Sequence, residues 1–233
     1  MVDINSILIP LYSFYDALFQ PLLQAGPYVS LAFFSAALAA VFSIIYYIFL
    51  DRERADEIKE KLNKHQEKMK EAQEEGEDDE VSDHLQKSLK LNQKFMMLNM
   101  KPMVATMLFV GLIFPWMGTT FAPAVDVNQS DNFTGELKWA GQTQEFTLDN
   151  ETQTVMMDGQ EAQQNEYLSA FGVDWEVMNV QHTDEGPRVK FNAAFVKLPF
   201  TLPYIGGALN WLGFYILIAM PLGFGLRKLM GVA

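Results

Sequence analysis

Three long apolar runs punctuate the chain, and the stretches between them follow two different periods. The runs Tyr28–Leu50, Met103–Ala122 and Tyr204–Leu226 contain no Asp, Glu, Lys or Arg. Each is long enough to cross a bilayer as a helix, which takes about 20 mostly apolar residues. Between the first two, Ile58, Leu62, His65, Met69 and Ala72 recur at alternating steps of four and three, the spacing of a helical seam. The segment EEGEDDE (Glu74–Glu80) breaks that pattern with like charges and Gly76. Val81, Leu85, Leu89, Asn92 and Met96 then resume it. These two arms predict an antiparallel coiled-coil hairpin over 51–101, the first arm (51–73) about 34 Å long. The alternative is a solvated linker of charged helix.

After the second apolar run the period shortens to two. Phe133–Trp139, Gln144–Leu148 and Thr154–Met157 alternate, and the last is followed by the turn pair Asp158-Gly159. Trp175–Gln181 and Arg188–Val196, joined across Glu185-Gly186-Pro187, read as a second hairpin. Residues 123–203 therefore predict a small β domain. Residues 1–27 are apolar but interrupted by Pro10 and Pro21, and Asp16 at mid-membrane would cost roughly 2.5–3.5 kcal/mol. They read as one or two short interfacial helices anchored by Tyr12, Phe14, Tyr15 and Phe19, with a fourth span as the alternative.

Charge orients these elements. No Lys or Arg precedes the first span; Arg52 and Arg54 follow it, Lys101 precedes the second, and Arg227 and Lys228 end the third. The positive-inside rule then puts the N-terminus (1–27) outside, 51–101 in the cytoplasm, 123–203 outside and the tail 227–233 in the cytoplasm. The expected fold is a mainly α membrane protein. It has three transmembrane helices (28–50, 103–122 and 204–226), a cytoplasmic antiparallel helical hairpin and a small extracytoplasmic β domain. Three sequons, at Asn128, Asn132 and Asn150, fall in the outside block and are glycosylation candidates. Pro115 should kink the second span, and Trp116 suits its outer interface.

The net charge of −12 argues against nucleic acid, which needs a basic face; a salt-rich environment also favours such acidity. There is no cysteine, hence no disulfide, thiolate metal site or thiol nucleophile. His65, His84 and His182 are far apart in sequence, and no HExxH, GxSxG or phosphate-binding glycine loop occurs. The expectation is a protein that is not an enzyme and takes neither metal nor cofactor.

Two sets of residues remain as candidates. Met96, Met97, Met100, Met103 and Met107 cluster where charged helix meets apolar run, with Pro102 at the boundary. Methionine is unbranched and polarizable, so such a surface can repack around apolar partners of different shapes. Its plainer role is filling a helix interface or facing lipid. Ser43, Thr106 and Asn210 are uncharged polar residues within the spans. They line a wet groove or, for Asn210 above all, hydrogen-bond between helices.

The order of parts resembles the archaeal YidC-like branch of the Oxa/YidC/Alb membrane-insertase superfamily. The resemblance is carried by EKMKEAQEEGEDDEVSDHLQK, by KFMMLNMKPM with the span after it, and more weakly by GGALNWLGFYILIAMPLGFGLRKLMG. It implies a three-span core with a groove open to the cytoplasm, through which transmembrane segments of nascent proteins enter the bilayer of the cell membrane. It also implies partners in the ribosome or translocon that meet the hairpin. The bacterial branch carries a groove arginine, and no Arg lies within these spans; the β domain is not part of the expected core. Rival readings are a scaffold subunit that binds partners through its coiled coil, and a sensor with an external β domain.

Overall fold

A computed structural model describes residues 4–129, 133–183, 186–202 and 206–231, with the side chains of 4–8, 199–202 and 206 left out. The chain divides into two compact units, Met1–Leu38 with Leu112–Pro221, and Ala39–Gly111 with Leu222–Ala233. Among the described residues, three helices are long and apolar enough to cross a membrane: α2 (Pro27–Phe49), α4 (Asp78–Phe121) and α5 (Trp211–Leu229).

The first unit contains α1 (Ile4–Leu23), a single helix that runs through Pro10 and Pro21 rather than breaking there. Two of its aromatic residues turn inward, Tyr15 and Phe19, which pack on Trp116 with ring centroids 5.5 and 5.3 Å away, and Phe34 closes the cluster at 5.4 Å; Phe14 stays exposed. Trp116, expected at an interface, is 1% exposed. Its indole N–H donates to Asp16 Oδ1 at 2.8 Å, which satisfies the buried donor, while Asp16 itself stays exposed.

The β part is a sandwich. One sheet is the meander β2 (Thr134–Trp139), β3 (Gln142–Asp149), β4 (Thr154–Met157) and β5 (Gln160–Ala162). In the other, β6 (Tyr167–Ala170), β7 (Val173–Thr183) and β8 (Gly186–Leu202) follow in order, and β8's far edge takes both β1 (Ala124–Asp126) and β9 (Gly206–Asn210). Leu137, Trp139, Phe146, Leu148, Trp175, Val177 and Phe191 are buried on alternating positions, as sheets with one dry face require. Phe146 meets Phe191 edge-on at 5.2 Å. Gly135 permits this packing, because a Cβ there would lie 2.4 Å from the Phe146 ring. Three two-residue turns, Ala140-Gly141, Asp158-Gly159 and Phe171-Gly172, have positive φ at both residues, the hairpin geometry that matches strand twist.

The expected third span from Tyr204 is shorter than predicted. Gly206–Asn210 is strand, and the helix starts at Trp211. Edge pairing on β8 satisfies backbone groups that an apolar pattern alone assigns to a helix. Nineteen residues in α5 still reach about 28 Å.

In the second unit, α3 (Arg52–Glu75) starts on Asp51, whose carboxylate accepts from the Arg54 N–H, and ends on Gly76 at φ 74°. α4 opens with Asp78, Asp79 and Glu80 in its first turn, where acidic groups favour the helix dipole. The two helices return on each other: His65 Nδ1 lies 3.0 Å from His84 Nδ1, and the Lys59 ammonium lies 6.0 Å from the Phe95 ring. Contrary to the sequence expectation of an element boundary at Pro102, α4 is one helix of 44 residues through both Pro102 and Pro115.

Candidate functional site

The accessible faces of α4 depend on which residues it turns toward α3. The expected stripe on α3 is observed, with Ile58 and Ala72 buried and Leu62, His65 and Met69 half-buried. On α4 the expected stripe is displaced by about one position. The residues turned inward are Val81, His84, Ser88, Leu91, Phe95 and Leu98, again at steps of three and four. Leu85 is exposed, Leu89 is 54% exposed and Met96 69%. The seam thus accepts polar side chains in place of larger aliphatic ones. His84 is matched by His65, whereas the Ser88 hydroxyl is buried without a partner among the described residues.

This rotation leaves a second apolar stripe uncovered on the same helix. Leu85, Leu89, Met96, Met100, Met103 and Met107 recur at helical spacing and all are substantially exposed, Met107 at 72%. The stripe runs from the charged hairpin into the apolar run, interrupted once by the exposed Asn92 between Leu89 and Met96. The candidate methionines therefore pack into no interior within their unit.

A third face of α4, with α3, borders a cleft of about 490 Å³. Its rim carries Arg54 and Lys61 from one helix and Lys94 and Lys101 from the other, with Met97 beside them. Glu57 sits among these cations; its hydrogen bond to Lys61, then the charges of Lys61, Arg54 and Lys94, hold its carboxyl below the usual range despite an opposing effect of burial. The signal for this cleft was the seven-residue spacing of Arg54 with Lys61 and of Lys94 with Lys101, beside each seam. The His65 imidazole is pushed below its ordinary value, first by burial and then by His84, Lys87 and Lys68, with Asp83 opposing.

The polar candidates are satisfied close to home. Ser43, which is buried, donates to the Ala39 carbonyl at 2.7 Å, and Thr106 donates to Pro102 and Met103 carbonyls at 3.0 and 2.8 Å. Such bonds occupy a helix hydroxyl without a partner helix. Asn210, in the first unit, is the last residue of β9, and its Oδ1 accepts from the Gly213 N–H at 3.0 Å. It caps α5 instead of seeking an interhelical partner. Of the sequons, Asn128 bridges to Thr134 in the backbone and Asn150 lies in the turn after β3, while Asn132 falls outside the described residues. A separate cleft of about 670 Å³ in the first unit is lined by Asp16, Gln20, Thr119 and Thr120 with the β2–β3 turn.

An apolar helix trio, a charged helical hairpin whose second arm continues into a span, and an uncovered methionine stripe define a membrane protein of a recognisable class. The chain belongs to the integral membrane protein EMC3/TMCO1-like family, whose pattern matches residues 16–157, more than half of it. That family is part of the Oxa/YidC/Alb insertase superfamily and is linked to membrane protein insertion. No curated protein and no solved structure matches the chain.

Proposed function

We propose that the protein is a membrane-protein insertase of the archaeal YidC-like kind, acting in the cell membrane with its hairpin and C-terminus in the cytoplasm. The observation that supports this most is the exposed stripe from Leu85 to Met107, an adaptable apolar track leading from water into the bilayer on one rigid helix. A nascent transmembrane segment sheds water against Met96 and Met100, passes Met103 and Met107, and leaves sideways into lipid. No bond is made or broken and no nucleotide is used. The driving force is burial of the segment's apolar side chains, about 25 cal/mol per Å². Ribosome or translocon components meet the hairpin end.

A photo-crosslinker placed at 96, 100, 103 or 107 should capture ribosome-bound nascent chains, with capture moving toward 107 as the chain lengthens. A second reading, a scaffold that pairs the Leu85–Met96 stripe with a resident helix, is favoured by the same exposure. It is selected if crosslinks form to one stable membrane partner and to no nascent chain.

A further inference from the structure

The basic cleft of the hairpin has no part in that reading. Arg54 is engaged by Asp51 at 3.3 Å and Lys61 by Glu57 at 2.5 Å. Lys94 and Lys101, however, have no ion-pair partner among the described residues. In a chain of net charge −12, these four cations around one cleft are a local positive concentration. The floor between the cations is apolar, from Ile58, Leu91 and Leu98.

Height along the helices distinguishes among anionic occupants. Lys101 comes two residues before Met103, where the apolar run starts, and Arg54 comes five residues after Phe49, where α2 ends. At 1.5 Å per residue along the continuous α4, Lys101 lies about 3 Å from the hydrocarbon, and Arg54 lines the same cleft; this is the depth of phospholipid headgroups, which add about 5–7 Å on each side of the core. Lys61 and Lys94 stand seven residues farther out on their respective helices, about 10 Å. A soluble acidic peptide has no need of a site at that depth, whereas a lipid phosphate is already there.

We infer that this cleft holds one anionic phospholipid, its phosphate between Arg54 and Lys101 and the outer part of its headgroup against Lys94 and Lys61. Two tiers of cations give a headgroup with a second phosphate an advantage over one with a single charge. The inference rests on where the spans begin, not on the insertase reading, so either fails without the other.

The test uses the full-length chain in phosphatidylcholine nanodiscs, with native mass spectrometry after addition of phosphatidylglycerol phosphate or phosphatidylglycerol. One phosphatidylglycerol phosphate should be retained, several-fold more tightly than phosphatidylglycerol. The double variant Lys94→Gln with Lys101→Gln should weaken retention at least tenfold. Lys64→Gln with Lys70→Gln, the same charge change outside the cleft, should leave it unchanged, and Lys94→Arg with Lys101→Arg should keep most of it. Equal losses in both glutamine pairs would reduce the effect to bulk charge and overturn the site. So would retention by the cleft variant, or displacement of the lipid by a soluble polyglutamate peptide or RNA at lower concentration than free glycerol phosphate.

Discussion

In the β sandwich Leu137, Phe146, Val155, Trp175 and Phe191 are all but inaccessible, while along α4 Met96, Met97, Met103 and Met107 are each more than half exposed. Both regions are apolar, and they differ in what covers them. The sandwich buries these side chains between its own sheets, and Trp139 at its end against Leu23 and Phe121 of the helices in the same unit. α4 spends one face on its hairpin partner and presents another to whatever lies outside. Side chains of the first kind contribute stability; those of the second kind are free to contribute binding.

The strongest way to break this contrast is truncation on each side of it. Phe191→Ala should cost the sandwich about 3–5 kcal/mol, read as denaturant or protease sensitivity of the β region. Met103→Ala should change stability by less than about 0.5 kcal/mol. Comparable losses would mean that the stripe is covered after all. Asp16→Ala tests an apolar helix held in the manner of the sandwich: it strands the buried Trp116 N–H, at about 1–3 kcal/mol. Hydrogen exchange along α1 should rise, and Asp16→Asn, which still offers an acceptor, should recover most of the loss.

The stripe itself is sharpened by shape at constant apolarity. Replacing Met96, Met100, Met103 and Met107 by valine removes rotamer freedom, because β-branched side chains are stiff at χ1; replacement by leucine keeps volume closely. Both variants should fold and reach the membrane. The valine variant should insert bulky single-span substrates a few-fold less well than the leucine variant in reconstituted vesicles. Equal insertion of every substrate by both and by the parent would make these methionines ordinary packing residues.

The smallest effect is expected at the histidine pair. In the folded hairpin His65 sits below its ordinary pKa of 6.5, so the folded form resists protonation more than the unfolded chain does. Stability is therefore full above about pH 6.5 and declines as the pH falls below it. Spin labels on the two arms should report separation on acidification, and His84→Gln should blunt the response. A distance that stays constant down to pH 5 would remove the pair from any role in holding the arms together.

The apolar runs, the first hairpin arm and the long alternating strands were legible because each shows one period without competition. The register of α4 was not, because Leu85 and Leu89 outrank His84 and Ser88 in apolarity and the helix carries two apolar stripes for two purposes. Apolarity identifies both and does not say which is inside. Asp158-Gly159 announced its turn, whereas Ala140-Gly141 and Phe171-Gly172 adopt the same positive φ without the Asn or Asp that usually marks it. Gly206–Asn210 reads as part of the third span because an edge strand of Gly, Ala and Leu has no polar face. The methionine cluster was legible as chemistry, but its exposure depended on a rotation of one residue.

The sheet has a mechanical consequence for the helices that enter it. α4 ends at Phe121 and β1 begins three residues later, with Ala124 paired to Lys190; Asn210, paired to Ala194, leads directly into α5. Two membrane-crossing helices are thus tied to one strand at points four residues apart, about 13 Å. A pull that separates the two helix ends along β8 loads its backbone hydrogen bonds in shear, where several must give way together. The sandwich works as a staple, setting the distance between two helix ends against the sideways tension of the membrane.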